Sequence, residues 1–212
     1  MSPKKIFPII LILFTFILAI YLYPNSPGIM VTHWGAYGEP NGYSGKLFAL
    51  FFEPILSVFF YLIFLFLPKT DPYYSHFKEF EKYFDTFINI IFIFFTYLYL
   101  GTLYWNIVAK FNLLQFLAPA FALLIYHIGV LCSVAKRNWF VGIRTPWTMS
   151  SDFVWQKTHH LGAVLFKLTA FISLLGILWP NLSIYFIIIP VLFFSAFLFL
   201  YSYVIFRQEN HQ

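Results

Sequence analysis

The stretch LSIYFIIIPVLFFSAFLFLYSYVIF, residues 182–206, contains no Asp, Glu, Lys or Arg. A helix needs about 20 mostly apolar residues to cross a hydrocarbon core that is roughly 30 Å thick. Within that core the backbone must satisfy its own hydrogen bonds, and a continuous helix does so. The stretch therefore predicts a transmembrane helix, and it sets the class of the whole chain.

Five further stretches have the same apolar character, near 6–23, 47–67, 86–106, 113–135 and 161–179. Hydrophobic residues make up 61% of the chain and charged residues 10%, with a mean hydropathy of +0.78. A soluble domain carries about a quarter charged residues. We therefore predict an all-α, polytopic membrane helical bundle with about six transmembrane helices, in which residues 1–212 form a single domain in the cell membrane.

The distribution of Lys and Arg predicts the orientation, because basic residues accumulate on the cytoplasmic side. With the N-terminus inside, the cytoplasmic segments hold Lys4, Lys5, Lys69, Lys78, Lys82, Lys136, Arg137, Arg144, Lys157 and Arg207, against Lys46 and Lys110 outside. Both termini are therefore expected inside. This places the 24–46 loop of the first helix pair (6–67) outside and the 136–160 loop inside.

The 24–46 loop is rich in Pro, Gly and Asn, which favour turns, so an ordered loop is expected. It also combines charged, polar and aromatic side chains, and we predict a ligand site formed by His33, Trp34, Glu39, Lys46 and Glu53. The alternative is that Trp34 only anchors the membrane interface. Zinc needs three or four well-placed ligands, and the His and Glu residues here are too few to predict a metal.

The 136–160 loop combines four basic residues with three tryptophans, which is typical of a lipid headgroup zone. Pro146 disfavours helix at the residue before it. Ser150 is a suitable cap, so a new helix is expected to start near Ser151 with Asp152 in its first turn. The loop is either an anchor among membrane lipids or a docking site for a cytoplasmic partner.

Three ionisable residues fall within the predicted spans, namely Glu53, His127 and Lys167. Such groups are costly at membrane depth and mark a functional site by default. His127 and Lys167 are expected in the inner halves of neighbouring antiparallel helices, where they could line one cavity. The alternative function is therefore a small-solute or proton transporter or channel. If neither residue has a function, Lys167 would extend to the lipid headgroups and His127 would form a hydrogen bond to a backbone carbonyl.

Several classes of function lack support in the sequence. The basic residues form no continuous stripe or Arg-rich arm, so direct nucleic-acid binding is not expected. HExxH, GxSxG and paired-carboxylate motifs are missing, so we predict neither an enzyme nor a catalytic residue. Cys132 is the single cysteine, which excludes an internal disulfide and a cysteine metal site. No cofactor is predicted.

The two loops together resemble the SdpI family. The inner loop matches that family's signature in residue type, order and spacing, at Asn138, Gly142, Ile143, Arg144, Thr145, Pro146, Trp147, Thr148, Trp155, Thr158, His159 and Gly162. The outer loop is similar to a short domain of unknown function that commonly precedes the signature, at His33, Trp34, Gly35, Gly38, Pro40, Gly42 and Lys46. His160 departs from the pattern, where a more basic residue is expected.

The resemblance implies a membrane immunity protein that neutralises a secreted, membrane-active toxin peptide. In the best-known arrangement such a protein also sequesters a cytoplasmic transcriptional repressor. With the predicted orientation, the toxin would arrive at the His33 loop, and the repressor would dock on the inner loop of the SdpI-like region (113–206). The residues predicted for that docking are Asn138, Arg144, Thr145, Trp147, Trp155 and His159.

Overall fold

Six long helices dominate the computed structural model, which describes residues 3–210. They are α1 (Pro3–Leu22), α2 (Lys46–Phe66), α3 (Tyr74–Ile107), α4 (Leu113–Val134), α6 (Asp152–Ser173) and α7 (Tyr185–Glu209), with the short α5 (Pro146–Ser150) before α6. All six are long and apolar enough to cross a membrane. The predicted all-α polytopic bundle is confirmed, and the chain is a multi-pass cell-membrane protein. The predicted orientation of the termini stays a prediction.

The bundle has two ends with different structure. At one end, called here the hairpin end, a two-stranded antiparallel sheet connects α1 to α2. At the other, called here the signature end, α4 is joined to α6 through residues 135–145 and α5. Helix α6 packs against both α4 and α7, while α3 packs against α1, α2 and α4. Helix α3 therefore connects the first helix pair to the second half of the chain.

The segment predicted as an outer loop contains strands β1 (Ile29–Trp34) and β2 (Pro40–Gly45). Two register shifts interrupt the pairing, one between Val31 and His33 and the other between His33 and Trp34. Such bulges bend a ribbon and redirect its side chains. Gly42 lies opposite His33, and a Cβ at this glycine would come within 2.7 Å of the His33 Cβ. Because of this irregular pairing, the side chains of β1 do not alternate regularly between buried and exposed positions.

Two predicted helix boundaries were wrong. Helix α3 begins at Tyr74, well before the expected start near residue 86, because its first turns carry charged residues and lie outside the most apolar stretch. The α6 cap is Ser151, whose hydroxyl accepts the Val154 N–H at 3.3 Å, whereas the Ser150 hydroxyl donates to the Trp147 carbonyl. A helix does start near Ser151 as predicted, but α6 ends at Ser173 and a 3-10 turn, Leu174–Ile177, follows.

Candidate ligand site at the hairpin end

Asn106, near the end of α3, holds the hairpin on the bundle. The Val31 N–H donates to its side-chain oxygen at 2.7 Å, and its side-chain nitrogen donates to the Val31 carbonyl at 3.0 Å. The side chains of Met30 and Val31 are buried beneath the sheet. Trp34 meets Trp105 edge to face, with ring centroids 5.6 Å apart. These contacts fix β1 across the ends of α2 and α3.

Below β1 lies a cavity of about 390 Å³, called here the outer cavity, walled by α2, α3 and α4. Its volume is within the range of small-molecule sites. Most of its lining is apolar, and the half-exposed rings of Phe48 and Phe52 stack on one another at its α2 edge. The lining residues are Thr32, His33, Trp34, Phe48, Ala49, Phe52, Glu53, Leu56, Ser57, Phe95, Leu98, Tyr99, Thr102, Leu113, Leu114 and Leu117.

Two residues of this lining carry a buried polar atom without a hydrogen-bond partner, Oε2 of Glu53 and Nε1 of Trp34. The other carboxylate oxygen of Glu53 accepts the Ser57 hydroxyl at 2.7 Å. Glu53 lies seven residues into α2, roughly 10 Å from its start. An unmade hydrogen bond at a buried group costs about 1–3 kcal/mol, and more for a charge. The cavity thus combines apolar walls with one unused acceptor and one unused donor.

The structure brings together three of the five residues predicted for the ligand site, because His33, Trp34 and Glu53 line the cavity. The exposed Glu39 accepts the Tyr37 N–H at 3.1 Å within the hairpin turn. Lys46 donates to the Tyr23 carbonyl at 3.1 Å and lies over the Tyr23 ring. Glu39 and Lys46 therefore shape the hairpin and its connection to α2. Their role in ligand binding stays a prediction.

The predicted alternative path would need Glu53, His127 and Lys167 to share one route. His127 and Lys167 lie on the packed helices α4 and α6, but neither lines the outer cavity. His127 Nδ1 lies 3.0 Å from the carbonyl oxygen of Leu123 in its own helix. Lys167 lies 5.8 Å from the centre of the Tyr126 ring. His127 and Lys167 therefore do not share the outer cavity with Glu53, and the transporter or channel alternative stays a prediction.

At the signature end, Asn138 organises the connection between α4 and α5. Its side-chain nitrogen donates to the carbonyls of Lys136 and Val141, at 2.8 and 2.9 Å. Its side-chain oxygen accepts the N–H groups of Phe140 and Val141, at 2.9 and 2.7 Å. The side chain is fully buried, and each of its four hydrogen-bonding positions is used.

Trp155 and His159 form the buried centre of the signature end. Their rings stack at 3.9 Å, and the Trp155 indole N–H donates to the Ala135 carbonyl at 2.8 Å. His159 Nδ1 donates to the Trp155 carbonyl, and its Nε2 accepts the Ile143 N–H at 2.9 Å. The imidazole is therefore the neutral tautomer protonated on Nδ1. Gly142, at φ +116°, leaves room for Nε2, since a Cβ there would lie 2.3 Å away.

The remaining signature residues join α5 to α7. Thr145 and Thr148 form a reciprocal capping box, and the Thr145 hydroxyl also lies 3.0 Å from the Ser202 hydroxyl. Trp147 packs against Phe199 and Tyr203. Arg144, by contrast, is exposed and bonds to the Trp139 carbonyl. Of the six residues predicted for partner docking, Asn138, Thr145, Trp155 and His159 are buried, and Arg144 presents an exposed charge. Docking itself stays a prediction.

The sequence analysis did not identify three residues that stabilise the two ends of the bundle. Asp71 is buried between its own turn and the signature end, where its carboxylate accepts the Tyr73 N–H at 2.7 Å and the Trp139 N–H at 3.0 Å. His76 bonds to the Arg137 carbonyl at 2.9 Å. Asn106 holds the hairpin at the other end. Each acts across a long sequence separation without a recognisable motif, so no local pattern identifies it.

Residues 134–204, which contain all the signature contacts above, match the model of the SdpI/YfhL protein family. This match covers about a third of the chain. Residues 10–58, which contain most of α1, the hairpin and Glu53, match a domain of unknown function, DUF1648. The chain is also similar to the immunity protein SdpI of Bacillus subtilis (strain 168), with 24% identity over 98% of each chain. No solved structure matches the chain.

These matches confirm the resemblance that the two loops predicted. The region that matches the SdpI/YfhL model begins at the end of α4 and extends over α5 and α6 into α7. The DUF1648 region supplies the hairpin and the α2 wall of the outer cavity. The α3 and α4 walls lie between the two matched regions. The outer cavity is therefore formed outside the part of the chain that carries the family signature.

Proposed function

We propose that this chain is a membrane immunity protein that binds a secreted, membrane-active peptide in the outer cavity. The supporting relationship is its similarity along nearly the full chain to an immunity protein. The observation that carries the proposal is the outer cavity itself, with its apolar walls and the buried, unpartnered atoms of Glu53 and Trp34. The predicted orientation puts this cavity on the outside, where a secreted peptide arrives.

The chemistry of the cavity suits a membrane-active peptide. Such a peptide must carry apolar side chains to enter a bilayer, and burying them contributes about 25 cal/mol per Å² of apolar surface. Apolar walls alone would not distinguish the peptide from a lipid chain. The carboxylate of Glu53 and the indole N–H of Trp34 add directional contacts that lipid chains do not satisfy. The pair thus supplies specificity to a site whose affinity is mainly hydrophobic.

Survival of a sensitive host that expresses this chain tests the proposal. The challenge uses the secreted peptide encoded nearest to its gene. Wild-type protein should protect, while Glu53→Gln and Trp34→Phe should protect less at equal amounts in the membrane. Glu79→Gln is the matched control for the first, because Glu79 is an exposed carboxylate on α3 that does not line the outer cavity. Trp139→Phe, at an exposed indole of the signature end, is the control for the second.

We propose a second role for the signature end, in contact with a cytoplasmic transcriptional repressor. Supporting this, Arg144 lies exposed on a connection that is held in place by hydrogen bonds to the buried Asn138 and His159. A guanidinium offers several donors in a fixed plane, which suits recognition of a carboxylate on a protein partner. Signalling would also require two conformations of the membrane protein with different affinities for the peptide.

A further inference from the structure

Glu53 differs from Glu81, Asp152 and Asp71 in how its negative charge is compensated by cations or hydrogen-bond donors. Glu81 pairs with Lys5 at 3.1 Å, and Asp152 pairs with Arg137 at 3.1 Å. Asp71 accepts two backbone N–H groups. Glu53 has one hydroxyl donor, from Ser57, and its second oxygen is buried with no donor. An ionised carboxylate at this depth is costly until a positive charge or further donors reach it.

The surroundings of Glu53 supply no such charge. The described lining of the outer cavity contains neither Lys nor Arg, and His33 at its rim is bonded to Asn41 within the hairpin. A rotation about the last side-chain torsion of Glu53 can present either oxygen, because this torsion is broad and roughly two-fold. A ligand that enters the cavity can therefore supply the missing donor and the missing charge together.

We infer that the outer cavity takes an apolar peptide segment bearing one primary ammonium group, which pairs with Glu53. This inference rests on the proposed function and names the chemistry that the site selects. Oε1 of Glu53 already accepts the Ser57 hydroxyl and Oε2 alone is without a partner. A compact ammonium therefore matches this site better than a guanidinium, whose two parallel N–H groups address both oxygens of a carboxylate. Trp34 Nε1 donates to a backbone carbonyl of the same peptide segment. The ammonium is either the α-amino group or a lysine side chain.

Decylammonium is a simple probe of this chemistry. The full chain in phosphatidylcholine nanodiscs is titrated with it, and binding is followed by tryptophan fluorescence as the difference between wild-type protein and Trp34→Phe. Decanol and decyltrimethylammonium are the controls, because the first lacks the charge and the second lacks an N–H donor. We expect saturable binding of decylammonium alone. Equal binding of decanol would show a purely apolar site and overturn the inference.

The charge of Glu53 is tested with two variants. Glu53→Gln keeps the size of the side chain and its bond to Ser57, and it should weaken decylammonium binding about 10-fold or more, the range of a lost charged hydrogen bond. Glu53→Asp keeps the charge and should retain measurable binding, and Glu79→Gln, at an exposed carboxylate of α3 outside the outer cavity, should bind as wild type. Unchanged affinity in Glu53→Gln would overturn the inference. A thermal unfolding midpoint close to wild type verifies that each variant is folded.

The killing peptide itself then distinguishes the source of the ammonium. The peptide is acetylated either on its α-amino group or on its lysine side chains, and each product is first shown to kill unprotected cells. The chain should fail to protect against the product in which the ammonium that pairs with Glu53 is acetylated. If decylammonium binds but no peptide is neutralised, the inference stands and the proposed function fails. If Glu53→Gln still protects fully against the unmodified peptide, the immunity function stands, whereas the inference and the place given to the outer cavity fail.

Discussion

Replacing Gly142 with Ala tests whether the SdpI/YfhL signature stabilises the signature end. Gly142 has φ +116°, and an added Cβ would lie 2.3 Å from His159 Nε2. The backbone strain costs about 1–3 kcal/mol, and loss of the buried bond from the Ile143 N–H to His159 costs about 1–3 kcal/mol more. We therefore expect Gly142→Ala to lower the free energy of unfolding by about 2–6 kcal/mol.

The measurement is reversible unfolding in mixed micelles, followed by circular dichroism and compared with Gly28→Ala. An added Cβ at Gly28 meets nothing within 4 Å, so that variant should stay within about 0.5 kcal/mol of wild type. Trypsin cleavage after Arg144 in native membranes gives a second readout, and it should be faster in Gly142→Ala. Equal stability and equal cleavage in the two variants would refute the structural account of the signature.

Three further predictions test the two ends of the bundle. Asn138→Ala removes four hydrogen bonds and should cost about 2–4 kcal/mol in the same unfolding assay, more than Asn41→Ala on the exposed hairpin. Asn106→Leu removes the two hydrogen bonds to Val31 and should release the hairpin from the bundle. Proteolysis between β1 and β2 should then be faster, and protection from the peptide should be weaker. Unchanged proteolysis would contradict this role of Asn106. Arg144→Ala should abolish recruitment of a cytoplasmic repressor to the membrane while protection persists. Equal loss of both at normal protein levels would indicate a folding role instead.

The helices of this chain could be predicted from sequence because each depends on local composition. The run at 182–206 and its five counterparts contain enough apolar residues to span a bilayer, and all six helices are present. The start of α3 could not be predicted in this way, because its first turns carry charged residues and are defined by backbone hydrogen bonds rather than hydropathy. The family signature was also readable, since its residues lie close together in sequence.

The candidate site was only partly predictable. Trp34 and Glu53 stood out as an aromatic residue near the interface and a carboxylate within a span, and the structure brings both to one cavity. The cavity itself depends on how α2 and α4 pack on α3, which no local pattern reports. Asn106, which fixes the hairpin above it, acts over 75 residues of sequence. The hairpin was predicted as a loop because β2, PNGYSG, consists largely of residues that favour turns, and the bulges of β1 disturb its alternation.

The two ends of the molecule differ in how they use polar residues. At the signature end the buried groups of Asn138 and His159 are satisfied within the protein, so they specify one arrangement of the chain. At the hairpin end, Glu53 and Trp34 keep buried atoms without partners. A buried polar group left unmatched in the folded protein is costly unless a ligand meets it. At the signature end the buried Thr158 hydroxyl also lacks a partner, but it does not line the outer cavity, whereas Glu53 and Trp34 both do. This shared cavity is the reason for placing peptide binding at the hairpin end.

The most direct test of the account is survival of a sensitive host challenged with the secreted peptide encoded nearest to the gene. Cells that express the wild-type chain should survive, and cells that express equal membrane amounts of Glu53→Gln should be killed. Cells with Glu79→Gln, at an exposed carboxylate outside the outer cavity, should survive like wild type. Death of cells that contain well-expressed wild-type protein would contradict the immunity function, and survival with Glu53→Gln would contradict the place given to the outer cavity.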